Sequence, residues 1–207
     1  MRVYFVRHGE SEANVLREIS NQGQKHPLTK LGRAQAETLG QSLRGERFAR
    51  IYASPLLRAV ETAEILSQHL AAPVSIHPAL SEGDLGVLEG RSDPEAWQLV
   101  DELTRDWYTH GRWERRTERG ESLHDIHARF VPFVETLLAE HRESDGNLLL
   151  VGHGGTYVAM LPVILGNVDH NFALANPIVN CGCIVAEASA QGLVCRSWCG
   201  RVLSDSA

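Results

Sequence analysis

Val3-Tyr4-Phe5-Val6-Arg7-His8-Gly9, near the start of the chain, and Leu148-Leu149-Leu150-Val151-Gly152-His153-Gly154-Gly155, near its end, are written to one plan. Each opens with four continuous apolar residues. Such a run predicts a short strand buried on both faces, as in a parallel sheet covered by helices. Each run then stops at a histidine beside glycine.

The sequence between them alternates. Leu31, Leu39 and Leu43, with Ala34 and Ala36, predict a helix capped by Thr29. Leu56, Val60, Ala63 and Leu70 predict a second, opened by Ser54 as cap and Pro55 at the first helical position. Leu123, Ile126, Phe130, Val134 and Leu137 predict a third, and Ser122-x-x-Asp125 reads as its capping box. Ile51-Tyr52-Ala53 and Val74-Ser75-Ile76 read as further strands. Cys183–Glu187 and Leu193–Ser197, turning near Gln191-Gly192, read as a closing hairpin. Strands alternating with helices predict a three-layer α/β/α sandwich around a mostly parallel sheet. One domain is expected over residues 1–207, with residues 91–121 as a helical and loop excursion covering the site.

Composition narrows the function classes. Hydrophobic residues make up 43% of the chain and charged residues 22%, a profile that suits a globular protein. A net charge of -6 argues against a general nucleic-acid or membrane-surface binder, both of which need a basic face. The four apolar residues before Arg7 are too few for a signal-peptide core or a membrane span, so a cytoplasmic location is expected. Cys181, Cys183, Cys195 and Cys199 crowd the end of the chain. Their spacing does not start from the C-x-x-C usual in zinc sites, so reduced thiols that neither catalyse nor bind metal are expected, with Cys181 and Cys199 roughly opposite across the hairpin.

In a parallel sheet, ligands sit beyond the carboxyl ends of strands at a topological switch point. If the two apolar strands are neighbours, His8 and His153 meet there. Gly9, Gly154 and Gly155 would let backbone approach a ligand, and the helix after Gly155 would aim free N–H groups at an anion. Arg7 supplies a cation, as does Arg58, which lies off the apolar stripe of its helix; both can fork onto phosphate oxygens. Two histidines and two arginines describe a site for a phosphoryl group that needs no metal and no cofactor.

The ordered motifs resemble those of the histidine phosphatase superfamily, the phosphoglycerate-mutase-like fold. They are Arg7-His8-Gly9-Glu10-Ser11 with Asn14, Gln22-Gly23, Pro27-Leu28-Thr29, Ser54-Pro55-Leu56-x-Arg58-Ala59, Leu80-x-Glu82, Gly120-Glu121-Ser122, and Val151-Gly152-His153-Gly154-Gly155. The resemblance implies His8 as a nucleophile that forms a phosphohistidine, with Arg7, Arg58 and His153 on the phosphoryl oxygens. It implies Glu82 as general acid and base, although Asp84 and Glu121 could also reach the site. Asn14, Gly23 and Gly154 would line the substrate site. Arg115 and Arg116, in a segment with four arginines against two glutamates, resemble the pair by which mutases hold a glycerate carboxylate. Phosphoglycerate mutases typically carry a tyrosine where Leu85 falls and are longer in the middle and tail, so the expected activity is a metal-independent phosphomonoesterase. Its substrate would be a small phosphorylated metabolite or a phosphoprotein, and a homodimer is the assembly left open. A mutase, or a catalytically silent phosphate-binding protein, is the alternative.

Overall fold

The computed structural model describes residues 1–189 and 192–204. Among these residues, the strands are β1 (Arg2–Arg7), β2 (Phe48–Ala53), β3 (Val74–Ile76), β4 (Asn147–Gly152), β5 (Cys183–Ser189), β6 (Gly192–Trp198) and β7 (Arg201–Val202). They form one sheet in the order β3-β2-β4-β1-β5-β6-β7. The first four in that order are parallel, and β5 to β7 join as an antiparallel edge. The sheet is therefore mixed around a parallel core. The helices are α1 (Glu12–Leu16), α2 (Lys30–Ser42), α3 (Leu57–Leu70), α4 (Pro94–Tyr108), α5 (Leu123–Glu140), α6 (Gly154–Ile164) and α7 (His170–Ala175).

The two continuous apolar runs are the adjacent central strands β1 and β4, and both of their faces are covered. Tyr4, Val6, Leu149 and Val151 pack with Ala59, Ala63 and Leu66 of α3. Val3, Phe5, Leu148 and Leu150 pack on the other side with α5 and α6 through residues such as Phe130 and Tyr157. The chain leaves β1 toward the α2/α3 layer and leaves β4 toward the α5/α6 layer. Their carboxyl ends thus form the switch point where such folds place ligands.

Two helix readings change on inspection. Leu31 is 54% exposed, and α2 instead buries Gly32, Ala36 and Gly40. The close face is set by glycine. A Cβ on Gly32 would lie 1.9 Å from Glu10 O, and one on Gly9 would lie 2.5 Å from Gly32 O, so only two glycines let α2 meet the loop after β1. Ser54 and Pro55 precede α3 without capping it, since its N-cap is Leu56. Thr29 does cap α2, accepting from Gly32 N at 3.0 Å, and Ser122 and Asp125 form the capping box of α5.

At the closing hairpin, Ser189 pairs with Gly192, and Gln191 lies outside the described residues. A register shift in this pair sets Cys199 against Cys183 and not Cys181, with Cys199 N donating to Cys183 O at 3.0 Å. All four cysteines are free. Burial pushes the Cys181 and Cys183 thiols up to about 12 and Cys195 up to about 11, far from the thiolate form needed for nucleophilic chemistry. Among the described residues, no helix is long and apolar enough to cross a membrane.

Candidate active site

Register brings the two histidines together. Val6 pairs with Val151 and Arg7 with Gly152, so His8 and His153 follow side by side, their ring centroids 5.1 Å apart. Both are buried. His8 Nδ1 donates to Gly9 O at 2.7 Å, while Arg58 Nε donates to His8 Nε2 at 3.1 Å. A nitrogen that accepts carries a lone pair, so these partners assign the proton to Nδ1 and leave Nε2 unprotonated, its lone pair turned to Arg58. Burial pushes the His8 pKa well below the usual histidine value, and Arg58 and Arg7 push it the same way against the bond to Gly9. The ring is held neutral.

His153 is set by a residue that sequence reasoning took for a helix cap. Ser54 Oγ lies 2.7 Å from His153 Nε2 and accepts from Leu56 N at 3.3 Å. With the hydroxyl hydrogen directed to Nε2, the neutral ring carries its own proton on Nδ1. Burial lowers the His153 pKa well below its ordinary value, with Arg58 and His8 acting in the same sense. Nδ1 is buried and meets no partner among the described residues, and the same is true of Arg7 Nε. Arg7 is anchored through Nη1 to Ile178 O at 2.7 Å, and Arg58 through Nη2 to Ser20 O at 2.7 Å. Burial lowers the pKa of both guanidiniums, although Glu82 opposes this. A buried donor without a partner is costly, so one on His153 and one on Arg7, with Arg58 beside them, mark a place for an anion.

Glu82 completes the group from the side of α6. Its Oε1 accepts from Thr156 N at 2.7 Å, Thr156 Oγ1 at 2.9 Å and Gly83 N at 3.0 Å; among the described residues, Oε2 accepts only from Gly155 N at 3.0 Å. The helix N–H groups expected to face an anion therefore face Glu82. Gly155 allows this approach, because a Cβ there would sit 2.8 Å from Oε1. The loop carrying Glu82 is pinned by Arg129 of α5, which donates to Ala79 O, Ser81 O and Glu82 O and holds Glu121 with both oxygens. Glu121 is thereby committed. Asp84 caps Gly86 N at 2.7 Å and accepts from Gln22, leaving Glu82 as the carboxylate of the three that lines the cavity.

That cavity holds about 480 Å³ and is lined by Arg7, His8, Asn14, Arg58, Glu82 and Gly154 from the expected set. Asn14 turns its Oδ1 to Ser11 in the cap of α1. His153 is fully buried and off the lining, next to His8. Besides His153, the structure leaves Gly23, Arg115 and Arg116 off the cavity lining. Gly23 has φ +73°, and a Cβ there would meet nothing within 4 Å. Arg115 pairs with Asp106 at 3.0 Å and Arg116 with Asp125 at 3.1 Å, each drawn outward by a helix carboxylate. Trp97, Val100, Trp107 and Tyr108 of α4 form one wall of the cavity. Sequence reasoning missed Ser54, Thr156 and Arg129. Only Ser54 and Thr156 carried a signal, the first inside a motif already read and the second directly after one.

The chain is similar to known proteins. The profile of the Histidine phosphatase superfamily (branch 1) matches residues 3–200. The "Probable phosphoglycerate mutase GpmB" of Proteus mirabilis is 35% identical over 176 residues, spanning 80% of this chain and 75% of that protein. The alpha-ribazole phosphatase of Shigella flexneri superposes with a TM-score of 0.80 at 25% identity, covering 99% of this chain and 98% of that one. A mycobacterial glucosyl-3-phosphoglycerate phosphatase, solved with VO3, superposes at 0.81 and 25% identity over 95% of this chain and 98% of that one.

Proposed function

We infer, for a chain that belongs to the histidine phosphatase superfamily (branch 1), that it hydrolyses phosphomonoesters through a covalent phosphohistidine on His8. The observation that carries this reading is the bonding of His8, with Nδ1 donating to Gly9 O and Nε2 left with its lone pair. Nε2 attacks phosphorus, and the P–O bond to the leaving alcohol breaks. Glu82 supplies the proton that the alcohol oxygen takes, from Oε2, the oxygen with the single hydrogen bond. Water then attacks the phosphorus, gives its proton to Glu82, and the P–N bond breaks. Arg7, Arg58 and the Nδ1–H of His153 stabilise the charge on the phosphoryl oxygens in both steps. No metal or cofactor enters, so turnover of p-nitrophenyl phosphate should persist in EDTA and be inhibited by vanadate. Loss on chelation with recovery on adding a divalent ion would overturn this part of the mechanism.

The names of the GpmB relatives favour a second reading, a mutase that returns the phosphoryl group to a glycerate. Against it, Arg115 and Arg116 pair with Asp106 and Asp125 and so are not arranged to hold a glycerate carboxylate. The deciding experiment supplies 3-phosphoglycerate with 2,3-bisphosphoglycerate as primer and follows both 2-phosphoglycerate and free phosphate. Phosphate release should outrun isomerisation. Rapid isomerisation with little phosphate would make the chain a mutase.

A further inference from the structure

We propose that the alcohol released by this site is apolar or aromatic and carries no anionic group of its own. The proposal rests on the reading of His8, Arg7 and Arg58 as the phosphoryl site. It concerns what lies beyond the phosphate, where Trp97, Val100, Trp107, Tyr108, Leu174 and Ile178 form the walls.

Three observations carry it. First, the polar tips of Trp97, Trp107 and Thr104 are already engaged elsewhere, and the remaining polar tip of the wall, the Tyr108 hydroxyl, carries no charge. Trp97 Nε1 donates to Arg17 O at 2.8 Å, Trp107 Nε1 to Arg115 O at 2.7 Å, and Thr104 Oγ1 to Val100 O at 2.8 Å. The two indoles therefore offer the cavity only carbon. Second, the charges on the lining beyond Arg7 and Arg58 are carboxylates, Glu82 and Glu18. With Glu82 protonated for its role as acid, a second phosphate or a carboxylate on the substrate would meet the Glu18 carboxylate and, among the lining residues, no cation beyond Arg7 and Arg58. Arg17 borders a separate notch that shares Ala13, Asn14, Glu18 and Trp97 with the cavity, not the cavity itself. Third, about 480 Å³ is more than a phosphoryl group fills and falls in the roughly 300–1,000 Å³ range of pockets that enclose organic ligands.

The test uses two esters of equal chain length and closely matched leaving groups, n-hexyl phosphate and the phosphate monoester of 6-hydroxyhexanoate. They differ in a terminal carboxylate. Alongside turnover, calorimetry measures binding of the matching phosphonates, which cannot be hydrolysed. The hexyl compounds should be preferred by about tenfold or more in both kcat/KM and Kd, as expected when one ligand must bury an unpaired charge. Val100→Lys sets an ammonium on the wall and should shrink or reverse that preference; Thr104→Lys repeats the test if the first variant does not fold. Equal binding and turnover of the two tails, or a preference for the carboxylate, would overturn the proposal. If neither ester nor p-nitrophenyl phosphate turns over but the binding preference persists, the hydrolytic reading fails and the apolar subsite stands.

Discussion

Ser54→Ala is the perturbation that separates tautomer control from simple packing. Its hydroxyl is fully buried and lies 2.7 Å from His153 Nε2, which has no exposure of its own. Removing it leaves a buried ring nitrogen without a partner, a loss of about 1–3 kcal/mol in stability. The catalytic loss follows from the proton. A net hydrogen bond of about 1 kcal/mol biases the two tautomers several-fold toward Nδ1–H, and about 1.4 kcal/mol would make the bias tenfold. Without it, His153 spends much of its time with Nδ1 bare and useless as a donor. The expected fall in kcat/KM is about 3- to 30-fold, below the roughly 10²–10³ set by deleting an oxyanion donor outright, as in His153→Ala. The assay is steady-state hydrolysis of p-nitrophenyl phosphate by both single variants and the double variant, with urea denaturation to confirm folding. Acting through His153, Ser54→Ala should cost little further activity once His153 is gone. An equal loss in both backgrounds, or a folded Ser54→Ala protein with full activity, would refute the reasoning.

Two further outcomes follow from the same geometry. Burial holds His8 and His153 below the usual histidine pKa, so from about pH 6.5 downward the unfolded chain takes up protons that the folded one refuses. Stability is full above that pH and should decline below it by about 1.4 kcal/mol per pH unit for each histidine, until the folded values are reached. Denaturant midpoints across pH 7 to 5 measure this, and an unchanged slope in His153→Ala would contradict it. Glu82→Gln should slow hydrolysis of alkyl phosphates much more than of p-nitrophenyl phosphate, whose leaving group needs little protonation, and equal losses would take the acid role from Glu82.

What could be read from the sequence was what the chain states locally. Four continuous apolar residues at Val3–Val6 and Leu148–Val151 marked central strands, and equal offsets from strand to histidine made the meeting of His8 and His153 a matter of register. Arg58 was legible because it broke the apolar stripe of α3. Contacts made across long separations were not. Glu82 reaches Thr156, and Ser54 reaches His153 from 99 residues away, and nothing near either residue announces its partner. The stripe through Leu31 misled because α2 packs through Gly32, Ala36 and Gly40, and small residues carry no hydropathy signal strong enough to outweigh a leucine. Arg115 and Arg116 misled for a related reason: their charge was visible, and the carboxylates that turn them outward lay on two other elements.

The central claim is that His8 attacks through Nε2. Rapid quenching of the enzyme under turnover into base, followed by peptide mapping and NMR of the phosphorylated histidine, tests it directly. The account predicts an acid-labile, base-stable phosphoryl group on His8, attached at Nε2 because Nδ1 is committed to Gly9 O. A phosphoryl group on Nδ1 or on another residue, or none at all while phosphate is being released, would contradict it.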